Sequence, residues 1–389
     1  MAGIIVRPRS RILSGHDWVY ASEVLKTFGS PNNGDVITIK DGRDRMLGSA
    51  IYNAQSQIVA RRFSRRRQEL DRDFFERRIR QAWELRNRLG CNPNLCRVVW
   101  SESDGLPGLI LDRYGRNGVL QTQAFGMDLH KQTIAEVAAE VIGLDSVIER
   151  NESAARRAEG LEDVSGGLVG PTPGPVIAEI AGVRFEVNLT EGQKTGFYLD
   201  QANNYAAVAA YARGKRVLDC FSNQGGFALV CAAQGAAAVT AVESGAEAAA
   251  RITANAALNG LRVDVAREDV FEYLNRCLRR GEEYDLIILD PPTFTRAKGG
   301  ISAALRGYRD LHSRGAKLLA KGGRLVSFSC SFHVSAAAFE ESAADGFFDA
   351  QRDMRLLERL LQPKDHPILM HLPETEYLKG FIAEAVPGR

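Results

Sequence analysis

The stretch "LVSFSCSFHVS" (residues 325–335) contains a single cysteine, Cys330, between two serines. Apolar residues lead into this cysteine, so we expect it at the carboxyl end of a buried strand. A lone thiol is often just a small core side chain. At a strand end, however, its thiolate would be the best nucleophile available near neutral pH. Cys330 is therefore a candidate nucleophile.

Acidic residues follow several other predicted strands. In "LDCFSNQGGFAL", Asp219 ends a strand and Gly225 begins a helix, where backbone N–H groups can face a ligand. Glu243 ends the next strand and could accept hydrogen bonds from a ribose diol, whereas Asp269 could hold an adenine amino group beside an apolar wall formed by Val270. Dinucleotide and S-adenosylmethionine sites share this arrangement. Because the spacing GxGxxG is absent, NAD is disfavoured.

The motif "LIILDPPTF" places Asp290 and Pro291 after another strand. Prolines lack N–H donors and restrict φ, so this loop is rigid and can hold a carboxylate and carbonyls against the edge of a planar base. A plain strand-ending Pro-Pro is the simpler interpretation. A thiol near such a loop suits methylation of cytosine at C5, because that carbon becomes nucleophilic only after a thiolate adds at C6. Cys220, inside the glycine loop, is assigned to packing or to cofactor contact.

The elements that would position these residues indicate an α/β fold. After Thr190, strands alternate with helices, which predicts a parallel, doubly wound, Rossmann-like sheet with its ligands beyond the carboxyl ends of the strands. The sequence divides into a small β-rich domain (1–70), a mixed α/β central domain that starts with an amphipathic helix (71–189), and the doubly wound domain (190–389). The stretch "SGGLVGPTPGP" (165–175) is expected to be an exposed loop or a linker.

Composition limits the classes of protein. The chain has 389 residues with 45% hydrophobic content, apolar runs far too short to span a bilayer and no apolar leader, so we expect a cytoplasmic protein. Six cysteines without paired spacing predict free thiols and no metal site. Residues 1–100 carry 19 Lys and Arg against 10 Asp and Glu. This charge indicates either a polyanionic partner or a solvated helix face.

Six ordered motifs resemble one known family. They are "GQKTGFYLDQ", "DCFSNQGGFA", "DPPTF", "RGYRDLH", "FSCS" and "YLKGF". Together they are similar to the bacterial RlmI-type 23S rRNA cytosine-C5 methyltransferases over essentially the whole chain. The resemblance implies an N-terminal PUA RNA-binding domain, a central α/β domain and a C-terminal class I methyltransferase domain that uses S-adenosyl-L-methionine.

The resemblance also implies roles for residues. Cys330 is the expected nucleophile, and Asp290 with Pro291 would contact the base. The expected cofactor contacts are Asp219, Phe221, Gly225, Glu243, Asp269, Val270 and Asp290, with Lys194, Thr195, Asp200 and Gln201 in a motif that closes over the cofactor. The chain departs from the family at Asn223 and Gln224, where Tyr and Thr are usual, and at Ala202, where Arg is common.

The expected function is transfer of a methyl group to C5 of a cytidine in large-subunit rRNA, either naked or in an assembly intermediate. One alternative is an rRNA guanine-N7 methyltransferase, which shares the "DPPTF" loop but has no use for a thiol. Another is a non-catalytic RNA-binding assembly factor that retains the fold. No membrane partner is expected, and the sequence leaves both a monomer and a homodimer open.

Overall fold

The chain forms two units, each assembled from separate stretches of sequence. The structure is a computed structural model that describes residues 2–191, 195–295 and 298–386. Unit 1 contains Met1–Ala178, Val187–Leu199 and Lys364–Thr375, and unit 2 contains Glu179–Glu186, Asp200–Pro363 and Glu376–Arg389. Among the described residues, no helix has both the length and the apolar character needed to cross a membrane. The two boundaries between the three domains expected from the sequence stay a prediction.

The first part of unit 1 is the β-rich module that the alternating pattern predicts. Its sheet has the order β2-β6-β5-β4-β1-β3, with one parallel pair, β1 and β4. Apolar side chains from these strands form their own core. The strands are β1 (Gly3–Val6), β2 (Trp18–Tyr20), β3 (Val24–Phe28), β4 (Val36–Lys40), β5 (Met46–Tyr52) and β6 (Ile58–Ser64).

The second part of unit 1 is a sheet of order β11-β10-β9-β8-β7 packed with helices. Its strands are β7 (Leu95–Trp100), β8 (Leu109–Tyr114), β9 (Asn117–Thr122), β10 (Ser146–Asn151) and β11 (Val164–Val169). The helices are α1 (Arg72–Arg88), α2 (Phe125–Leu129), α3 (Lys131–Ile142) and α4 (Ala154–Ala158). The prediction of a loop or linker over 165–175 is therefore wrong for its first part. Its first residues pair antiparallel with β10, because an edge strand tolerates glycine when backbone hydrogen bonds hold it.

Helix α1 shows how local sequence builds this unit. The Asp71 carboxylate caps the helix by accepting a hydrogen bond of 2.8 Å from the Phe74 amide. Phe74, Phe75 and Ile79 then recur on one buried face. The helix ends before Gly90, as the sequence predicts.

Unit 2 contains the doubly wound sheet, in the order β16-β15-β14-β17-β18-β20-β19. The strands from β16 to β18 are parallel, and β20 is antiparallel to both of its neighbours. The strands of this sheet are β14 (Arg216–Cys220), β15 (Ala238–Val242), β16 (Asp264–Ala266), β17 (Tyr284–Leu289), β18 (Leu319–Ser329), β19 (Met354–Leu361) and β20 (Lys379–Ala385). Outside this sheet, β12 (Val176–Ile180) and β13 (Val183–Val187) form a separate two-stranded hairpin. The helices are α5 (Ala202–Ala209), α6 (Gly226–Ala233), α7 (Ala246–Leu258), α8 (Val270–Arg280), α9 (Ile301–Lys317) and α10 (Ala336–Asp349).

The strand order reverses direction between β14 and β17. Chain order runs outward from β14 through β15 to β16, then returns to the other side of β14 at β17. At such a switch point the two connecting loops diverge and leave a crevice beyond the carboxyl ends of the strands. Asp219, at the end of β14, and Asp290, after β17, both stand at this point. The doubly wound α/β fold expected from the sequence is confirmed.

A buried arginine holds separate parts of unit 1 together. Arg86 is fully buried in α1, and its guanidinium binds both carboxylate oxygens of Asp104, at 2.5 and 2.8 Å. It also donates to the Arg97 carbonyl at 2.9 Å and to the Asp365 carbonyl at 2.8 Å. The segment around residue 365 is thereby attached to α1 across a long separation in sequence. Removing one partner of a buried ion pair leaves the other as an uncompensated charge.

We expect Arg86→Leu to lower the free energy of unfolding of unit 1 by about 3–5 kcal/mol. The matched control is Arg72→Leu in the same helix, whose exposed guanidinium pairs with Glu140 and should contribute little to the free energy of unfolding, because solvent screens an exposed ion pair. Urea unfolding followed by tryptophan fluorescence reports on unit 1, because Trp18, Trp83 and Trp100 all lie there. Equal shifts of the urea midpoint in the two variants would contradict this assignment.

Candidate active site

The loop between β14 and α6 is built around the carboxylate of Asp219. Its Oδ2 accepts a hydrogen bond of 3.0 Å from the Ala228 amide and another from the Ser222 hydroxyl. Its Oδ1 is also buried and has no hydrogen-bond partner among the described residues. Burial raises the pKa of Asp219 to about 7. The loop thus contains one buried acceptor that its own residues leave unfilled.

The backbone of this loop adopts conformations that most residues avoid. Phe221 has a φ of 63° and Asn223 a φ of 48°, and Gly225 follows with a φ of 85°. Left-handed backbone at non-glycine residues is uncommon and concentrates at functional sites. The next glycine is required for packing, because a Cβ atom on Gly226 would lie 2.5 Å from the Tyr205 ring. Gly225 therefore allows the left-handed turn, and Gly226 allows the close contact between α5 and α6.

Glu243, after β15, connects this loop to the next strand. Its Oε2 accepts from the Asn223 amide at 2.9 Å, and its Oε1 accepts from the Gly245 amide at 2.7 Å. Each carboxylate oxygen can accept a second hydrogen bond. The half-buried Glu243 can therefore shape the loop and still accept from a ligand diol.

Asp269 and Val270 stand where the chain enters α8. Asp269 caps this helix, since its Oδ1 accepts from the amides of Phe271 at 2.9 Å and Glu272 at 3.2 Å. Its side chain is otherwise exposed, so the second oxygen is accessible to a ligand. Val270 belongs to the hydrophobic core of unit 2. Capping and packing thus account for the two residues locally, and their expected cofactor contacts stay a prediction.

The structure brings Gln201 and Asp290 together. The Gln201 side-chain amide donates to Asp290 Oδ2 at 3.0 Å, and Gln201 in turn accepts from the Asn204 side chain at 2.6 Å. Pro291 is buried directly after this carboxylate. The loop is anchored to β14 by the Asp290 amide, which donates to the Cys220 carbonyl at 3.4 Å.

The other residues of the motif expected to close over the cofactor lie in two places. Asp200 is buried in unit 2 and accepts a hydrogen bond of 2.7 Å from the Tyr377 hydroxyl. Thr195 is fully buried in unit 1, where its hydroxyl donates to Asp112 at 2.5 Å. Lys194 lies outside the described residues. The hydroxyl of Thr195 already donates its hydrogen bond to Asp112. The cofactor contact of Thr195 therefore stays a prediction.

Cys330 follows β18 and is partly exposed. Its sulfur lies 3.2 Å from the hydroxyl of Thr293, which belongs to the loop after Asp290. Thr293 was not among the residues predicted from the sequence, although its place in "DPPTF" was a usable signal. Tyr308 was not predicted either, and its pKa is raised by burial and further by the charges of Cys330 and Asp290. Cys330 and Asp290, which follow neighbouring strands, therefore both lie close enough to influence the same tyrosine.

The remaining cysteines of unit 2 are buried. Cys220, Cys231 and Cys277 are core side chains, and burial raises the pKa of each thiol. Cys220 belongs to the hydrophobic core, which agrees with its assignment to packing. Thiols of this kind are inert as nucleophiles.

The residues around the β14 loop fit S-adenosylmethionine. The unfilled Oδ1 of Asp219 would accept from a ligand ammonium group, and Glu243 has capacity for the hydroxyls of a ribose. Loop amides at the start of α6 and the exposed oxygen of Asp269 complete a set suited to a nucleoside with an amino acid tail. Bound there, S-adenosylmethionine would supply an electrophilic methyl group.

We expect the affinity for S-adenosylmethionine to rise with pH through about 7. Asp219 takes up a proton below its pKa of about 7, and the neutral acid loses its attraction for an ammonium group. Affinity should fall about 10-fold per pH unit below that point. The measurement is isothermal titration calorimetry between about pH 5.5 and about 7.5, a range below the ordinary pKa of the ligand's own α-amino group.

The matched control is Asp219→Asn, which keeps the size and loses the charge. Its binding should be weaker than that of the wild type at about pH 7.5 and nearly independent of pH. A pH dependence in Asp219→Asn as steep as in the wild type would assign the titration to another group.

Comparisons with known proteins agree with this geometry. A family model described as S-adenosylmethionine-dependent methyltransferase matches residues 88–371, and one described as PUA-like domain matches residues 7–65. Among solved structures, a SAM-dependent methyltransferase from Streptococcus mutans has a TM-score of 0.85 at 21% identity, covering 99% of this chain and 100% of that one. Another methyltransferase, solved in complex with SAH, has a TM-score of 0.86 at 22% identity with the same coverage. These structures show the fold.

Curated relatives match along nearly the whole chain. A "Ribosomal RNA large subunit methyltransferase I" from Aeromonas salmonicida is 38% identical and covers 98% of both chains. A protein of the same name from Shewanella amazonensis is 39% identical and covers 95% of both. The PUA-like domain, the class I methyltransferase fold and the cofactor expected from the sequence are thereby confirmed. With this degree of identity over this length, the chain belongs to the S-adenosylmethionine-dependent ribosomal RNA large subunit methyltransferase I family.

Proposed function

We propose that the protein transfers a methyl group from S-adenosylmethionine to C5 of a cytidine in large-subunit rRNA, with Cys330 as the covalent nucleophile. The observation that carries this proposal is the partly exposed Cys330 at the carboxyl end of β18, with Thr293 3.2 Å from its sulfur. The names of the relatives support large-subunit rRNA as the substrate. Among the cysteines of unit 2 in the described part of the chain, the other three are buried.

The proposed methyl transfer proceeds through a covalent adduct between Cys330 and the cytosine ring. The Cys330 thiolate forms a bond to C6 of the cytosine, the C5–C6 π pair moves into the C4–C5 bond and the C4–N3 π pair moves onto N3. C5 thereby becomes the nucleophilic carbon of an enamine. C5 then forms its bond to the transferred methyl group, and S-adenosylhomocysteine leaves. Loss of the C5 proton to a base returns an electron pair to C5–C6 and expels the thiolate. Methylation of a guanine nitrogen needs no such adduct, so the thiol favours C5 chemistry.

Asp290 is the proposed partner of the base. As the ring becomes an adduct, N3 takes up a proton from solvent, and the carboxylate accepts a hydrogen bond from the resulting N–H. N3 gives this proton back to solvent when the thiolate leaves. Gln201 orients this carboxylate from one side by its 3.0 Å hydrogen bond. The rigid peptide at Pro291 limits its movement from the other side. The target cytidine must leave any helix to reach Cys330, as enzymes that modify nucleobases require.

Unit 1 offers a basic cleft for the RNA backbone. The cleft has a volume of about 690 Å³ and lies between the end of β6 and α1, lined among others by Arg65, Arg66, Arg78 and Arg88. Three of its acidic residues are paired with arginines: Asp17 with Arg62, Glu102 with Arg61 and Asp104 with Arg86. Arg65, Arg66 and Arg88 have no ion-pair partner among the described residues. Unpaired guanidinium groups in a cleft are suited to phosphates, which position RNA without reading its sequence.

We expect Cys330→Ala to abolish methyl transfer while S-adenosylmethionine still binds, because the cofactor contacts lie on other strands. The assay combines large-subunit rRNA with labelled S-adenosylmethionine and identifies the methylated nucleoside by mass spectrometry. RNA that contains 5-fluorocytidine should also form an adduct with the wild type that survives denaturation, since the step that expels the thiolate is blocked.

The matched control is Cys91→Ala, which removes the other partly exposed cysteine and should leave transfer unchanged. Cytidine methylation retained in Cys330→Ala would overturn the covalent mechanism. A product of 7-methylguanosine would overturn the base assignment, and rRNA binding without any cofactor affinity would favour a non-catalytic assembly factor.

We expect the double change Arg65→Ala with Arg66→Ala to weaken rRNA binding and to flatten its salt dependence. Each lost phosphate contact lowers the slope of log affinity against log salt by about 0.7–0.9. Binding is measured by filter retention at several salt concentrations. Arg279→Ala with Arg280→Ala removes an equally exposed tandem pair from unit 2 as the control. Equal losses in the two double variants would show that only total charge matters.

A further inference from the structure

The peptide around Cys330 is held by a tyrosine from α9. The Tyr308 hydroxyl lies 2.9 Å from Ser329 Oγ and 3.0 Å from Ser331 Oγ. Both serines are fully buried, whereas the cysteine between them is partly exposed. One hydroxyl can donate once and accept twice, so Tyr308 can bind both neighbours at the same time. One hydroxyl therefore holds the residues on both sides of Cys330.

A buried lysine supports the turn that follows. Lys379 begins β20 opposite Ser329 of β18. Its ammonium group donates to the Ser331 carbonyl at 2.9 Å and to the Val334 carbonyl at 2.6 Å. The Ser331 carbonyl also accepts from the Val334 amide at 3.1 Å, which closes the turn after Cys330. Lys379 thus binds both ends of that turn.

The buried charge of Lys379 has no carboxylate within ion-pair distance among the described residues. Burying a charge without a paired counter-ion is unfavourable, and here only carbonyls are bound directly. Burial accordingly lowers the pKa of Lys379, and the charges of Cys330 and Glu376 act in the opposite direction. Because the interaction between two charges is mutual, a positive Lys379 favours the thiolate of Cys330 to the same extent.

We propose that Lys379 is a positioning residue that holds the turn after Cys330 and supplies the positive charge that favours its thiolate, while Tyr308 sets the direction of the thiol. The inference rests on the proposed role of Cys330 as nucleophile. In the described part of the chain, the charged or titratable neighbours of this cluster include Asp290, Glu376, Tyr308 and His333, the last of which lies within the turn itself. Glu376 offsets part of the Lys379 charge, and Tyr308 stays neutral because burial, with the charges of Cys330 and Asp290, raises its pKa. Lys379 supplies positive charge directly at this turn and acts through Cys330 without touching the base.

The test is the rate at which iodoacetamide alkylates Cys330 across pH, followed by mass spectrometry of the Cys330 peptide in the absence of RNA. The thiolate is the reacting form, so the midpoint of the profile reports the pKa of the thiol. We expect a wild-type midpoint below the ordinary value of about 8.5 for a cysteine. Lys379→Gln keeps a hydrogen-bond donor and loses the charge, so its midpoint should rise by about one unit, with alkylation about 10-fold slower at pH 7.

Two variants separate charge from structure. Lys379→Arg keeps the charge and should retain a midpoint near that of the wild type. Lys321→Gln removes an exposed lysine from β18, the strand that leads to Cys330, and should leave the alkylation midpoint unchanged. Binding of S-adenosylmethionine checks that each variant is folded. An unchanged midpoint in Lys379→Gln would overturn the proposal. A wild-type midpoint at or above about 8.5 would overturn it without any variant.

The methyl transfer assay adds an independent readout. Lys379→Gln should lower kcat about 10-fold at pH 7 with KM for rRNA unchanged, and raising the pH should restore most of the loss. Tyr308→Phe should lower kcat at every pH and leave the alkylation midpoint unchanged, because it alters direction and not charge. If Cys330→Ala still methylated cytidine, the proposed function would fail, whereas the alkylation profiles would still measure the effect of Lys379 on the thiol.

Discussion

The parallel backbone ladder from β14 through β17 to β18 is the constraint on which the candidate site depends. Hydrogen-bonded register places Cys220 beside Leu289, and Leu289 in turn beside Ser327. Each strand then ends at the same edge of the sheet, so Asp219, Asp290 and Cys330 emerge in succession across it. Neighbouring strands lie about 4.8 Å apart, which is close enough for one small substrate to reach several of them.

The polar groups at this edge follow one physical rule: each carboxylate first stabilises the loop that presents it. Asp219 binds the loop amide of Ala228, Glu243 binds the Asn223 amide, and Asp269 caps α8. The carboxylates also retain acceptor capacity, which is most evident in the unfilled and buried Oδ1 of Asp219. A site arranged in this way is preorganised, because its donors and acceptors need little rearrangement when the ligand arrives.

Arginine has two separate uses in unit 1. Arg86 and Arg97 are buried and bind carboxylates, Asp104 and Asp112 respectively, and so they hold the fold together. Arg65 and Arg66 are exposed at the end of β6 and supply positive charge to a cleft. The excess of basic residues in the first 100 positions therefore combines internal cross-links with a surface suited to phosphates. Composition counts these two populations together, and only burial and pairing separate them.

Much of the architecture follows from the sequence, because amphipathic periodicity, caps and turn residues act over a few positions. The α1 helix, the β-rich module, the doubly wound sheet and the strand-end locations of Asp219, Glu243, Asp290 and Cys330 could all be predicted in this way. The family could be recognised as well, from motifs that are specific when they occur in order. The edge strand at Val164–Val169 was missed, because its stability comes from pairing with β10 rather than from its own residues.

Contacts between distant segments were decided by the tertiary structure. Nothing local to Thr195 reveals that its hydroxyl binds Asp112, and nothing local to Arg86 reveals that it holds the segment at Asp365. Tyr308 and Lys379 stand in recognisable motifs, yet their contacts with the residues around Cys330 exist only because α9 packs beside β18 and β20 pairs with it. The sequence by itself determined which residues could do chemistry and on which elements they stand. The tertiary structure decided which buried partners surround them, because hydrogen bonding and burial depend on distances in space and not on separation along the chain.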